Sequence, residues 1–136
     1  MFKRVLAVVL GFVTGFVLVT LIHSISARMY PPPEELITQD TEALKAYFSS
    51  LPTKARNIIL AAHAIGCFGA AYITSKFADS YKFHLGMLVG LIMLVAGASY
   101  NLASYSPVWA FVADIISSLC FAYLGAKWGS ISRQTA

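Results

Sequence analysis

Apolar and polar positions divide this chain into four long hydrophobic runs: Val5 to Ala27, Asn57 to Ser75, Phe83 to Ala103 and Val108 to Ala126. Each reaches the roughly 20 residues needed to cross a hydrocarbon core about 30 Å thick. Lipid offers no hydrogen-bond partners, so each run must close its backbone hydrogen bonds within itself, as a helix. The connections Lys76 to Lys82 and Ser104 to Pro107 are short, which makes successive helices antiparallel neighbours. The pattern predicts an all-α fold. Residues 1–136 form a single transmembrane domain, an integral membrane up-down four-helix bundle with spans at about 5–27, 57–75, 83–103 and 108–126.

The one sizeable connection runs from about Arg28 to Thr53. Pro31-Pro32-Pro33 has fixed φ and no donors, so it is expected to leave the membrane as a stiff polyproline II segment. Thr38 to Ser49 then reads as a short helix. Asp40 is its candidate N-cap, Glu42 favours its first turn, and Leu44, Tyr47, Phe48 and Leu51 form its apolar stripe. Such a helix is expected to lie flat on the outer interface, a short interfacial helix in the first outer loop. Pro52 then falls where the first turn of the second span tolerates it.

Charge orients the bundle. Lys3 and Arg4 open the chain, and Lys76, Lys82, Lys127 and Arg133 flank the ends on the same side. By the positive-inside rule both termini face the cytoplasm, in a multi-pass arrangement. The other side carries Arg28, Lys45, Lys54 and Arg56, offset by Glu34, Glu35, Asp40 and Glu42. The apolar stretch from Val5 to Ile22 exceeds the roughly 7–15 residues of a secretory h-region, so the first run is read as a retained helix. Trp109 and Trp128, near opposite ends of the fourth run, and the tyrosines at run ends mark two headgroup levels.

A hydrophobic share of 58%, against roughly 45–50% in soluble domains, leaves no room for a separate soluble catalytic domain. The net charge of +4 sits at the membrane edges, which suits anionic headgroups and not nucleic acid. Cys67 and Cys120 both fall inside apolar runs and read as small packing residues. All nine glycines lie in the runs or at their ends. Gly11-xxx-Gly15, Gly86-xxx-Gly90 and Gly125-xxx-Gly129 match the small-xxx-small pattern, and Ala62, Gly66 and Ala70 extend it to the second helix. These positions admit close helix contact, either inside one bundle or against a homo-oligomer or larger membrane complex.

Asp114 is the only carboxylate within a run. At a helix centre an aspartate costs roughly 2.5–3.5 kcal/mol on insertion scales, so it should face the interior and have a partner. His63 is the natural candidate. Each stands six residues from the outer end of its run, 57 to 63 and 108 to 114, about 9 Å deep at 1.5 Å per residue. His23, Ser24, Ser26, Ser99, Tyr100, Asn101, Ser117 and Ser118 lie toward the same side. The candidate buried polar site is therefore His63, Asp114, Asn101, His23 and Ser117.

Three readings fit that cluster: interhelical hydrogen-bond glue, a protonatable or ligand-binding pair in a transport path, or a metal site built from His63, Cys67 and Asp114. Glue comes first, and no dense His/Cys signature supports the metal. No cofactor is expected. A phosphate loop, a nucleophile elbow and HExxH are all missing, so no soluble-enzyme motif is present.

Several segments together resemble a functionally uncharacterised family of small bacterial four-helix membrane proteins. They are Tyr30-Pro31-Pro32-Pro33, Glu42-Ala43-Leu44-Lys45-Ala46-Tyr47 with Ser50-Leu51-Pro52, and Ala62-His63-Ala64-Ile65-Gly66 with Gly69-Ala70. His84, Gly90, Asn101 and Pro107-Val108-Trp109 running to Asp114 complete the set. The resemblance implies a compact inner-membrane bundle and carries over no activity. Proton-coupled small multidrug exporters share the size and span count, but their carboxylate sits in the first helix and this one in the fourth.

The leading expectation is a non-enzymatic structural or accessory membrane protein that packs through its small-residue faces. The alternative is a small proton- or cation-coupled transporter or channel using a buried His–Asp pair. A membrane enzyme acting on a lipid or quinone is a third reading.

Overall fold

In a computed structural model, residues 2–32, 41–103 and 106–132 are described. They form five helices: α1 (Phe2–Met29), α2 (Thr41–Ser50), α3 (Thr53–Phe77), α4 (Lys82–Ala103) and α5 (Val108–Ile131). The four long ones are the membrane-spanning helices expected from the apolar runs, and α2 is the expected short helix. The long helices extend past the apolar runs and take Lys3, Arg4, Lys54, Arg56, Lys82 and Lys127 into their end turns. Helical hydrogen bonding continues through the interface, while charged side chains there still reach water.

Proline sets two helix starts. Pro52 and Pro107 each occupy the cap position in extended conformation, with φ −65° and −63°. Their carbonyls accept the first helical bonds, from Ala55 N at 2.9 Å and from Ala110 N at 2.9 Å. Pro52 thus stands just before the first turn and not within it, because its extended ψ of 154° takes it out of the helix.

The central helix is α3. It packs against α1, α4 and α5; α4 and α5 also pack together, α1 and α4 touch only lightly, and α1 and α5 do not meet among the described residues. Its buried face runs through Ala62, His63, Ala64, Gly66, Cys67, Ala70, Ala71 and Thr74. That face is nearly all small because lipid supplies no hydrophobic drive between helices, so association rests on close van der Waals contact. A Cβ added at Gly15 would stand 2.7 Å from Ala70 Cβ and 2.9 Å from the Gly66 carbonyl oxygen. One at Gly125 would strike the Phe68 backbone. The glycines of the first, third and fourth small-xxx-small motifs all face another helix of the same chain. These faces are consumed inside the bundle.

Large apolar side chains point the other way. Phe16, Val95 and Ile116 are about 60% exposed (60%, 62% and 58%), as a lipid-facing surface requires. Hydroxyls on that surface bond back to their own helix: Thr20 to the Phe16 carbonyl, Ser24 to Thr20 and Ser99 to Val95, each at 2.8 Å. These three hydroxyls therefore do not meet the hydrocarbon unpaired.

The helix α2 is tied to the ends of α1, α3 and α4. Tyr47 Oη donates to the Tyr30 carbonyl at 2.8 Å, and the Phe48 ring meets Tyr100 edge-on at 6.3 Å. The Arg56 guanidinium donates to the Phe48 and Ser49 carbonyls at 3.1 and 3.0 Å. A cation there satisfies last-turn carbonyls and opposes the negative end of the helix dipole. Burial, and then Tyr100, push the Tyr47 hydroxyl above its ordinary 10.0, so it stays a neutral donor. Thr38 to Asp40, the proposed start and N-cap of this helix, lie outside the described residues, as do Pro33 and the Leu44 side chain.

At the opposite end, Arg4 Nε donates to Asp79 Oδ1 at 3.1 Å and its guanidinium lies 5.4 Å from the Tyr81 ring centre. This joins the start of α1 to the turn between α3 and α4.

Candidate functional site

Three spanning helices converge on one carboxylate. Asp114, on α5, is 2% exposed, and His63 on α3 and Asn101 on α4 are each 3% exposed. His63 Nδ1 lies 3.0 Å from Asp114 Oδ2 and 3.1 Å from Oδ1. Asn101 Nδ2 donates to Oδ2 at 2.6 Å. The far side of the Asn101 amide is fixed in turn, because Ser106 Oγ donates to its Oδ1 at 3.0 Å. That chain orients the amide so its N–H must face the acid. An ionised carboxylate only accepts, so in that state His63 Nδ1 carries the proton it donates. The matched depth read from the sequence thus corresponds to a real contact.

A second imidazole stands beside the first. The rings of His23, His63 and Tyr100 form a triangle with centroid separations of 5.4 Å (His23–His63), 5.1 Å (His23–Tyr100) and 5.8 Å (His63–Tyr100). Nε2 of His23 is buried without a hydrogen-bond partner. Two cavities meet at this triangle. One of about 280 Å³ lies under α2, lined in part by Ser26, Tyr30, Tyr47 and Leu51. The other, of about 330 Å³, lies between α1 and α4 and ends at His63. Both have His23 and Tyr100 in their walls. Away from α2, the core beyond the pair is closed by Cys67, Ala70, Val89, Met93 and Ala122.

Four of the five expected site residues come together here: His63, Asp114, Asn101 and His23. The fifth, Ser117, is turned away. Its hydroxyl donates to the Asp114 carbonyl at 3.2 Å, and it lines a different surface recess with Asn57 and Ala61. Its neighbour Ser118 is the buried one, at 1% exposure, and it lies against the Cys67 thiol. Two further residues belong to the site. Tyr100 completes the triangle, and Gly97 gives the His63 ring its space, since a Cβ there would stand 3.0 Å from Nδ1 and 3.1 Å from Cγ. The spacing Met93, Gly97, Asn101 marks this inward face of α4, all three being buried. Among the described residues, no three His, Cys, Asp or Glu side chains are grouped so as to hold a metal ion.

No family model, no curated protein and no solved structure matches this chain. What stands is a small, all-helical, polytopic membrane protein with a hydrogen-bonded carboxylate–imidazole pair inside its spans.

Proposed function

We propose that this chain is a small proton-coupled transporter of a bacterial inner membrane, with both termini cytoplasmic and α2 on the outer face. The carrying observation is the buried His63–Asp114 pair. Removing two ionisable groups from water costs several kcal/mol each. Glue could be made from neutral amides and hydroxyls. Inside a span, a pair able to exchange a proton is the costlier choice, and such residues mark proton paths.

A proton suits the pair better than a metal or alkali cation. Asp114 is surrounded by N–H groups from His63 and Asn101, whereas hard cations need a shell of oxygen ligands. The cavities on the α2 side would supply access, and the small-residue core on the other side is the barrier that must open in the alternate state. The structural and accessory reading loses its main support, because the small-residue faces it relied on are used within the chain.

The test uses purified protein in vesicles loaded with a pH-sensitive dye and driven by a potassium diffusion potential. Wild type should acidify or alkalinise the lumen faster than Asp114→Asn, His63→Ala or empty vesicles, with all variants eluting as the same folded species. Infrared difference spectra of the same samples should show an Asp114 carboxyl band that responds to pH. Equal flux in all four preparations, together with a pH-insensitive band, would refute proton handling.

A further inference from the structure

Building on that reading, we infer that the groove between α1 and α4 is a binding site for a lipophilic amine that enters sideways from the leaflet nearest α2. The cavity of about 330 Å³ is walled by Phe12, Phe16 and Val19 from α1 and by Met93 and Ala96 from α4, and it ends on His23 and His63. It faces the hydrocarbon because α1 and α4 touch only lightly while both lean on α3. Phe16, at its rim, is 60% exposed. A molecule can therefore reach the imidazoles from the bilayer without crossing water.

The lining sorts the ligand by shape and charge. From Phe16 to His23 is seven residues of helix, about 10 Å, so the apolar part lies toward mid-membrane and the polar end toward the α2 interface. This is the way an amphiphile in that leaflet already points. His23 lines the polar end, and its buried Nε2, which has no partner, can accept a hydrogen bond from an N–H donor when the ring proton is on Nδ1. Behind His63 stands Asp114, and neither lysine nor arginine lines the groove. With the pair unprotonated, the Asp114 carboxylate is a negative charge in a low-dielectric setting, which attracts a cationic head and repels an anionic one. A proton on the pair and an ammonium in the groove answer to the same carboxylate, so loading one disfavours the other. That competition is what exchange of the two across a membrane requires.

Photolabelling in lipid nanodiscs tests the site with a dodecylamine that carries a diazirine in mid-chain, adducts being mapped by mass spectrometry. Adducts should concentrate on Phe12, Phe16, Met93 and Ala96, and excess N,N-dimethyldodecylamine should suppress them, while dodecanol and dodecanoic acid should not. Ala96→Phe, which fills the groove from an exposed position, should lower labelling about tenfold, the loss expected when roughly 1.4 kcal/mol of binding is removed. His23→Gln serves as a second variant. Adducts spread evenly to Ile116 and Val95 would show that only bulk lipid occupies the groove and would overturn the inference. Competition by the acid as strong as by the amine would overturn the charge selection. Labelling needs no proton movement, so specific adducts without proton flux sink the transport reading alone, and flux without specific adducts sinks this one.

Discussion

Breaking the His63–Asp114 pair separates a charged site from ordinary interhelical glue by magnitude. Consider His63→Ala, Asp114→Ala and the double variant. Asp114 is 2% exposed and, among the described residues, its carboxylate meets the side-chain N–H groups of His63 and Asn101. Removing His63 leaves the carboxylate with Asn101 alone; removing Asp114 leaves an imidazole in a dry site. Breaking a buried ion pair from one side costs about 3–5 kcal/mol. A neutral interhelical hydrogen bond in a membrane averages about 0.6 and reaches at most about 1.7 kcal/mol. Each single variant should therefore lose about 3 kcal/mol or more, and the double variant no more than the worse single, because it leaves no orphaned charge. Asp114→Asn should fall between, at about 1–3 kcal/mol, since an amide that accepts from Asn101 through its oxygen turns its N–H₂ toward His63 Nδ1. Equilibrium unfolding in mixed micelles of mild detergent and dodecyl sulfate, followed by circular dichroism, reads all four. Single losses below about 1 kcal/mol that simply add in the double variant would show neutral glue, and the physical basis of the transport reading would be gone.

Other consequences can be checked with the same preparation. Gly125→Ala should destabilise by about 1–3 kcal/mol or more, because its Cβ meets the Phe68 backbone, which cannot rotate aside; unchanged unfolding would mean that α3 and α5 are not in contact there. Gly97→Ala should cost less stability, since a side-chain ring can give way, yet it should slow vesicle proton flux by displacing His63. Arg56→Gln removes both guanidinium bonds to the end of α2, so amides of residues 46–50 should exchange faster while those of α3 stay protected. Arg4 holds the Asp79 carboxyl below its ordinary 3.8, chiefly by the hydrogen bond between them. A lowered folded value means the contribution is full above 3.8 and fades as pH falls through the folded value. Asp79→Asn should therefore lower stability slightly at neutral pH, converge with wild type at acid pH and so flatten the acid side of the stability curve; a loss confined to acid pH would contradict the contact. An Ala46→Cys reporter should react with an impermeant thiol reagent on intact cells if α2 is outside, and only after lysis if the orientation is reversed.

Much of this fold was legible without coordinates because the bilayer makes it one-dimensional. Run length gives the number of spans, and residue count along a span gives depth, so His63 and Asp114 could be placed at one level. The short α2 was visible from its apolar stripe and Glu42, and its expected start at Thr38 lies outside the described residues. Rotation about each helix axis was not legible. Adjacent residues point about 100° apart, which is why Ser117 looked as good as Ser118 until packing buried Ser118 and turned Ser117 away. The same freedom hid the inward turn of Gly97 and Tyr100, and it left open whether glycine faces served the bundle or a partner. Sequence alone determined how many helices cross, where they begin and end to within about a turn, and how deep the lone carboxylate lies. Only tertiary packing decided that α3 is central, that α1 stands apart from α5, and that three helices turn His63, Asn101 and Asp114 onto one point. The physical reason is that depth follows from hydrophobicity, which each residue carries itself. Azimuth follows from which small side chains let two backbones approach, and that belongs to the pair of helices.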